Sequence, residues 1–177
     1  MRNHGAGTLN ANLCQPGSPE PEIAAVIIRW LALRRQTLAL AESCTGGFLA
    51  HQITKVSGAS KVFLGGIVAY SNAAKQKFLG VRPQLLVRHG AVSEAVARAI
   101  AEGARRRFGA DFALAVTGIA GPSGGTKAKP VGTVFIALSG GRETVVKRQF
   151  NPRGREAFKQ LTADQALAML LAQLVRG

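Results

Sequence analysis

A chain of 177 residues that is 47% hydrophobic holds enough apolar material for one domain with its own core, and its length speaks against two. Its 23 basic and 9 acidic residues, net charge +14, favour anionic partners, but a single tryptophan and a single tyrosine argue against a base-stacking nucleic-acid surface. No apolar run reaches membrane length and no secretory leader is recognisable, so the cytoplasm is the expected location, and Cys14 and Cys44 form neither a disulfide framework nor a metal-ligand spacing.

Residues 1–21 combine Gly, Asn and Ser with three of the seven prolines and read as a flexible extension, leaving 22–177 as the domain. Ile23, Val26, Ile27, Trp30 and Leu31 then recur at helical spacing, with Pro21 near the start. Thr37 to Leu40 reads as a buried strand, and Phe48, Leu49, Ile53 and Val56 as the apolar face of a second helix. Val62 to Tyr70 reads as another buried strand, in which Gly65-Gly66 permits a bulge. Ser71 or Asn72 can cap a helix that runs through Leu79 to Gly80, and Ser93 can cap a longer one from Glu94 to Phe108, closed by Gly109. The dense basic run Arg105-Arg106-Arg107 falls at the end of that helix, where positive charge suits the dipole.

Phe112 to Val116 forms a further apolar strand running into Thr117 to Gly125, a loop too rich in glycine for a helix. Val131 to Leu138 and Thr144 to Phe150 predict a hairpin around Ser139-Gly140-Gly141-Arg142, and Arg155 to Val175 a closing helix. Early alternation of helix and strand followed by a hairpin predicts an α/β domain, a mixed sheet covered by helices on both faces.

Two clusters could carry chemistry. In Ala41-Glu42-Ser43-Cys44-Thr45-Gly46-Gly47 a hydroxyl stands where a strand gives way to a helix, so Ser43 reads either as a plain helix cap or as a nucleophile beside unpaired N–H groups. Lys75 falls near the first turn of its helix, where the dipole and burial would lower its pKa and make it a general base for a serine. The competing reading is a solvated surface lysine like Lys77, and Tyr70 either hydrogen-bonds to one of the pair or covers the core edge. A histidine-based triad would need His89 with Asp111 or Asp164, neither in a catalytic context. The loop Gly121 to Gly125 fits an anion cradle or a structural turn, and it lacks the Gly-Lys-Ser/Thr of a Walker loop.

Taken together, Ala41 to Gly47, Ala69-Tyr70-Ser71-Asn72-Ala73-Ala74-Lys75 with Leu79-Gly80-Val81, His89 to Glu94, Thr117-Gly118-Ile119-Ala120-Gly121-Pro122 and Lys129 to Val134 resemble the CinA C-terminal domain family. Its characterised enzymatic members are nicotinamide mononucleotide deamidases. The resemblance runs from about Ile23 to the C-terminus and implies a three-layer α/β/α sandwich with a mixed, mainly parallel sheet. It implies an amidohydrolase that turns nicotinamide mononucleotide into nicotinic acid mononucleotide and ammonia through an acyl-serine. Ser43 is then the nucleophile, Lys75 its base and Tyr70 an auxiliary, with the oxyanion held by backbone donors near Thr45 and Gly46. Thr117, Gly118 and Gly121 would contact the nucleotide, Arg153 or Arg155 its phosphate, and no metal or organic cofactor is needed. A homo-oligomer is also implied, with no membrane partner.

The departures are a turn Asn151-Pro152-Arg153-Gly154-Arg155 in place of a Ser-Gly-Asp-Arg-like one, and Lys127-Ala128 where acidic residues are common. Many relatives carry an N-terminal molybdopterin-binding-like domain, and with only a short tail before the fold, that domain's activity is not expected here. The alternative function is a non-catalytic binding module of competence or DNA-damage contexts, which would have no need of Ser43, Tyr70 and Lys75 together.

Overall fold

In the computed structural model, which describes residues 22–141 and 143–176, the order is α1 (Ile23–Leu33), β1 (Leu38–Glu42), α2 (Phe48–Thr54), β2 (Phe63–Val68), α3 (Asn72–Leu79), α4 (Pro83–His89) and α5 (Glu94–Phe108). The chain continues through β3 (Phe112–Gly118), β4 (Thr133–Gly140), β5 (Glu143–Phe150) and α6 (Arg155–Arg176), and a single 3₁₀ turn at Ala59–Lys61 precedes β2. The predicted extension 1–21 and Arg142 of the hairpin turn lie outside the described residues.

The five strands form one sheet in the order β2-β1-β3-β4-β5. β1 pairs parallel with both β2 and β3, and β4 is antiparallel to β3 and β5, so four of the five strands run the same way. The pleat sorts side chains by parity. Leu38, Leu40, Leu114, Val116, Val134 and Ile136 face one side and pack under α1, α2 and α6, in a core with Ile27, Leu31, Phe158 and Leu167. Ala39, Ala41, Ala113, Ala115 and Ala137 face the other side, under α5 with Val96, Ala97, Ile100 and Ala101. The outcome is the expected three-layer sandwich, with bulky residues filling one interface and alanines allowing close approach at the other.

The caps follow local chemistry. Ser71 Oγ accepts from Ala74 N at 3.1 Å and Ser93 Oγ from Val96 N at 3.3 Å, while Gly80 and Gly109 close the same helices with φ of 68° and 64°. α5 also depends on one glycine for packing. A methyl group on Gly103 would lie 2.0 Å from the Leu79 carbonyl oxygen at the end of α3. Gly103→Ala is therefore expected to destabilise the domain by about 1–3 kcal/mol in urea unfolding, although alanine is the better helix former by about 1 kcal/mol.

Two expectations are corrected and one element is new. β2 is an edge strand with Leu64 and Val68 about half exposed, not a buried one, because it pairs with β1 alone. Its register slips between Leu38 and Ala39 opposite the Gly65 region, which is the anticipated bulge. Ser43 caps no helix, since α2 begins five residues later with Gly47 at its N-cap position. α4, with Pro83 in its first turn, was not anticipated, and it brings only Leu86 fully into the core.

Candidate active site

α2 leaves β1 on one face of the sheet and α3 leaves β2 on the opposite face, so a crevice opens at the carboxyl ends of these parallel strands. Such a switch point is where open α/β sheets bind ligands. Ser43 is the first residue past β1, and its N–H is tied to Val116 O of β3 at 3.1 Å. Lys75 reaches the same place from the middle of α3.

Lys75 is 1% exposed, the largest fully buried side chain of the described residues. Its Nζ lies 3.0 Å from Ser43 Oγ, 2.8 Å from Ala69 O and 3.4 Å from Tyr70 O. A neutral amine has two hydrogens and one lone pair. In its charged form Nζ donates to all three oxygens, and in its neutral form the two carbonyls can accept both hydrogens while the lone pair is left for the Ser43 hydroxyl. Burial pushes the Lys75 pKa down. No carboxylate opposes this, for the ion pairs among the described residues are Lys55–Glu22, Arg98–Glu94 and Lys159–Glu156.

Cys44 shares the crevice, but burial pushes its thiol up to about 12, so it stands neutral beside the serine and is no competing nucleophile at neutral pH. The N–H groups of Cys44, Thr45 and Gly46 meet no carbonyl or side-chain oxygen among the described residues. Those of Gly47, Leu49 and Ala50 are taken by the buried Glu42 carboxylate at 3.0, 3.0 and 2.8 Å, and the Thr45 hydroxyl donates to it at 2.7 Å. Glu42 was absent from the predicted site, and nothing short of this geometry reveals it.

Arg155, at the first turn of α6, donates to the Tyr70 hydroxyl and, at 2.9 Å, to Gly121 O. It thereby links the loop after β2 to the glycine-rich loop after β3. Of the two candidate arginines Arg155 borders the crevice and Arg153, exposed in the preceding turn, does not. That turn is fixed by Asn151, whose amide exchanges hydrogen bonds with Gln165 at 2.9 and 3.1 Å. Thr117 lines the crevice with its hydroxyl donated to Ala91 O at 2.9 Å, and Gly118 lines it where a methyl group would strike Thr133 O at 2.9 Å. Thr45, Gly46 and Gly121 do not line the crevice, an open cavity of about 210 Å³.

The histidine alternative does not assemble. His89 borders a separate cavity of about 680 Å³ between α4 and α5, Asp111 binds Thr37 N and Oγ1 at 2.8 Å at the opposite end of β1, and Asp164 pairs with Gln160. Among the described residues no group of three His, Cys, Asp or Glu could hold a metal ion.

Fold and site together define an α/β domain with a buried serine–lysine pair at the carboxyl edge of its sheet. The family model described as CinA C-terminal domain matches residues 20–174, and the chain belongs to that family. It is 51% identical over 161 residues to a CinA-like protein of Parasynechococcus marenigrum, and 53% over 156 residues to one of Anaeromyxobacter sp. strain Fw109-5. These alignments cover 90% and 87% of the chain but 38% of either relative, so the chain spans well under half the length of the curated relatives it matches. Among solved structures, a competence-damaged protein (CinA) superfamily protein of Klebsiella pneumoniae superposes with a TM-score of 0.85 at 34% identity, over 88% of this chain and 98% of that one. A competence/damage inducible protein of Agrobacterium tumefaciens does so with a TM-score of 0.78 at 38% identity, over 88% and 98%.

Proposed function

We propose that the domain is an amidohydrolase that deamidates nicotinamide mononucleotide through an acyl-serine formed on Ser43. The supporting observation is the 3.0 Å contact between Ser43 Oγ and a buried amine that has no carboxylate partner among the described residues. Lys75 accepts the hydroxyl proton as Oγ attacks the carboxamide carbon, and N–H groups of the Cys44–Gly46 turn hold the oxyanion. The protonated Lys75 then gives its proton to the departing nitrogen, which leaves as ammonia. Water attacks the ester with Lys75 again as base, so amide and water become acid and ammonia.

Tyr70 and Arg155 form the rim in this reading, and the guanidinium is the natural partner for the substrate phosphate. Thr117 and Gly118 shape the wall against which the ring rests. The high positive charge of the chain favours an anionic substrate of this kind.

The test is incubation with nicotinamide mononucleotide, followed by coupled ammonia detection and mass analysis of the quenched protein. Equimolar ammonia and nicotinic acid mononucleotide are expected, with a nucleotide acyl adduct on the peptide that contains Ser43. Absence of turnover together with salt-sensitive DNA binding would favour the non-catalytic module instead.

A further inference from the structure

We propose that Glu42 is a positioning residue for the nucleophile: an internal anion around which the segment that carries Ser43 closes. This rests on the serine–lysine reading above and adds to it a residue whose side chain never meets substrate.

The carboxylate of Glu42 is 2% exposed and lies outside the crevice lining. Its Oε2 accepts from the Thr45 hydroxyl at 2.7 Å and from Gly47 N and Leu49 N at 3.0 Å, and its Oε1 accepts from Ala50 N at 2.8 Å. All four donors come from the eight residues that follow it, so the turn after β1 and the first residues of α2 close on the side chain that ends the strand. The backbone of that residue is anchored independently, with Glu42 O accepting from Ala69 N at 2.8 Å and the next N–H held by Val116 O at 3.1 Å. Ser43 is thus held at both of its flanks: by the sheet through its backbone and by the carboxylate through the turn that follows.

Ala69 adds a second link. Its N–H donates to Glu42 O and its carbonyl accepts from Lys75 Nζ, so one residue of the β2–α3 connection joins the backbone of Glu42 to the base. Because Glu42 does not line the crevice, its carboxylate meets neither substrate nor the Ser43 hydroxyl. Because it consumes the N–H groups of Gly47, Leu49 and Ala50, those of Cys44, Thr45 and Gly46 are the ones in this turn without an oxygen acceptor among the described residues, and of these Cys44 lines the crevice. An uncharged side chain at position 42 would release the turn, and with it both the hydroxyl and the oxyanion donors. A misplacement of about 1 Å is enough to cost on the order of a hundredfold in rate.

The experiment uses Glu42→Gln and Glu42→Ala in the full chain, with two readouts: the rate at which a fluorophosphonate probe labels Ser43, and kcat and KM for ammonia release. Glutamine keeps the shape but turns a donor toward Ala50 N or the Oε2 donors, so a loss of about tenfold is expected, and about a hundredfold for alanine, in kcat and labelling alike. KM should stay within about twofold, and added formate should restore part of the alanine variant's labelling by refilling the vacated position. Labelling of either variant at the wild-type rate overturns the proposal, as does a loss that follows only the folded fraction and ignores formate. Should the alanine variant not fold, the glutamine variant decides by the same labelling rate at an unchanged unfolding midpoint. A wild type that labels at Ser43 yet releases no ammonia would reject the substrate reading while leaving the labelling series to judge Glu42.

Discussion

Ser43→Ala is expected to bring ammonia release from nicotinamide mononucleotide down to background, a loss on the order of 10⁵-fold, because among the described residues that line the crevice Ser43 is the hydroxyl in contact with Lys75. Cys44 is adjacent, but its thiol, pushed up to about 12, remains protonated at the pH of the assay. The fold should survive. Alanine removes one of three oxygens around the Lys75 amine, and Ala69 O and Tyr70 O still accept both hydrogens of its neutral form. The unfolding free energy should therefore change by no more than about 1 kcal/mol. Ammonia release within tenfold of wild type, in protein shown by mass to carry alanine, would remove Ser43 from the reaction.

Lys75→Met should cost about 10³- to 10⁴-fold in kcat, the worth of a positioned base, and Lys75→Arg should do no better because a guanidinium does not deprotonate. For the wild type, kcat/KM should rise with pH through a midpoint below 10.5, since burial lowers the Lys75 pKa from that value. The stability consequence has a definite sign. Between its lowered folded value and 10.5 the amine is protonated in the unfolded chain and neutral in the fold, so stability rises with pH across that window. Below the window the cost of a buried charge is carried in full. Unfolding free energies of wild type minus Lys75→Met, measured as pH approaches 10.5, should move in favour of the wild type, and an opposite trend would mean that the lysine gains a charge partner on folding.

Features set by neighbouring residues were legible in the chain. Ser71 with Gly80 and Ser93 with Gly109 bracket α3 and α5 because caps are local hydrogen bonds and left-handed closures. Thr37 to Leu40 and Phe112 to Val116 read as buried strands, and β1 and β3 are covered on both faces. Strand order is not local, so nothing in Phe63 to Val68 tells that β2 lies at the sheet edge. The seven residues of α4 bury too little to impose a period.

The site divides in the same way. Ser43 and Lys75 were candidates by type and setting, but the choice between a solvated and a buried lysine belongs to the packing of α3 over the crevice. The helix-cap reading of Ser43 failed because the four residues Cys44 to Gly47 intervene and the cap is supplied by the residue before it. Arg155 could be told from Arg153 only after the Asn151–Gln165 pair had set the direction of entry into α6.

Because α5 rests on alanines, tolerance to change should be lopsided across the sheet. The leucine-rich interface can trade volume between partners, whereas the alanine interface has no spare room to exchange and admits enlargement only by moving a whole helix. Laboratory evolution aimed at a larger or different substrate should therefore collect its accepted substitutions beneath α1, α2 and α6. The opposite side would act as a fixed reference plane against which Lys75 keeps its height.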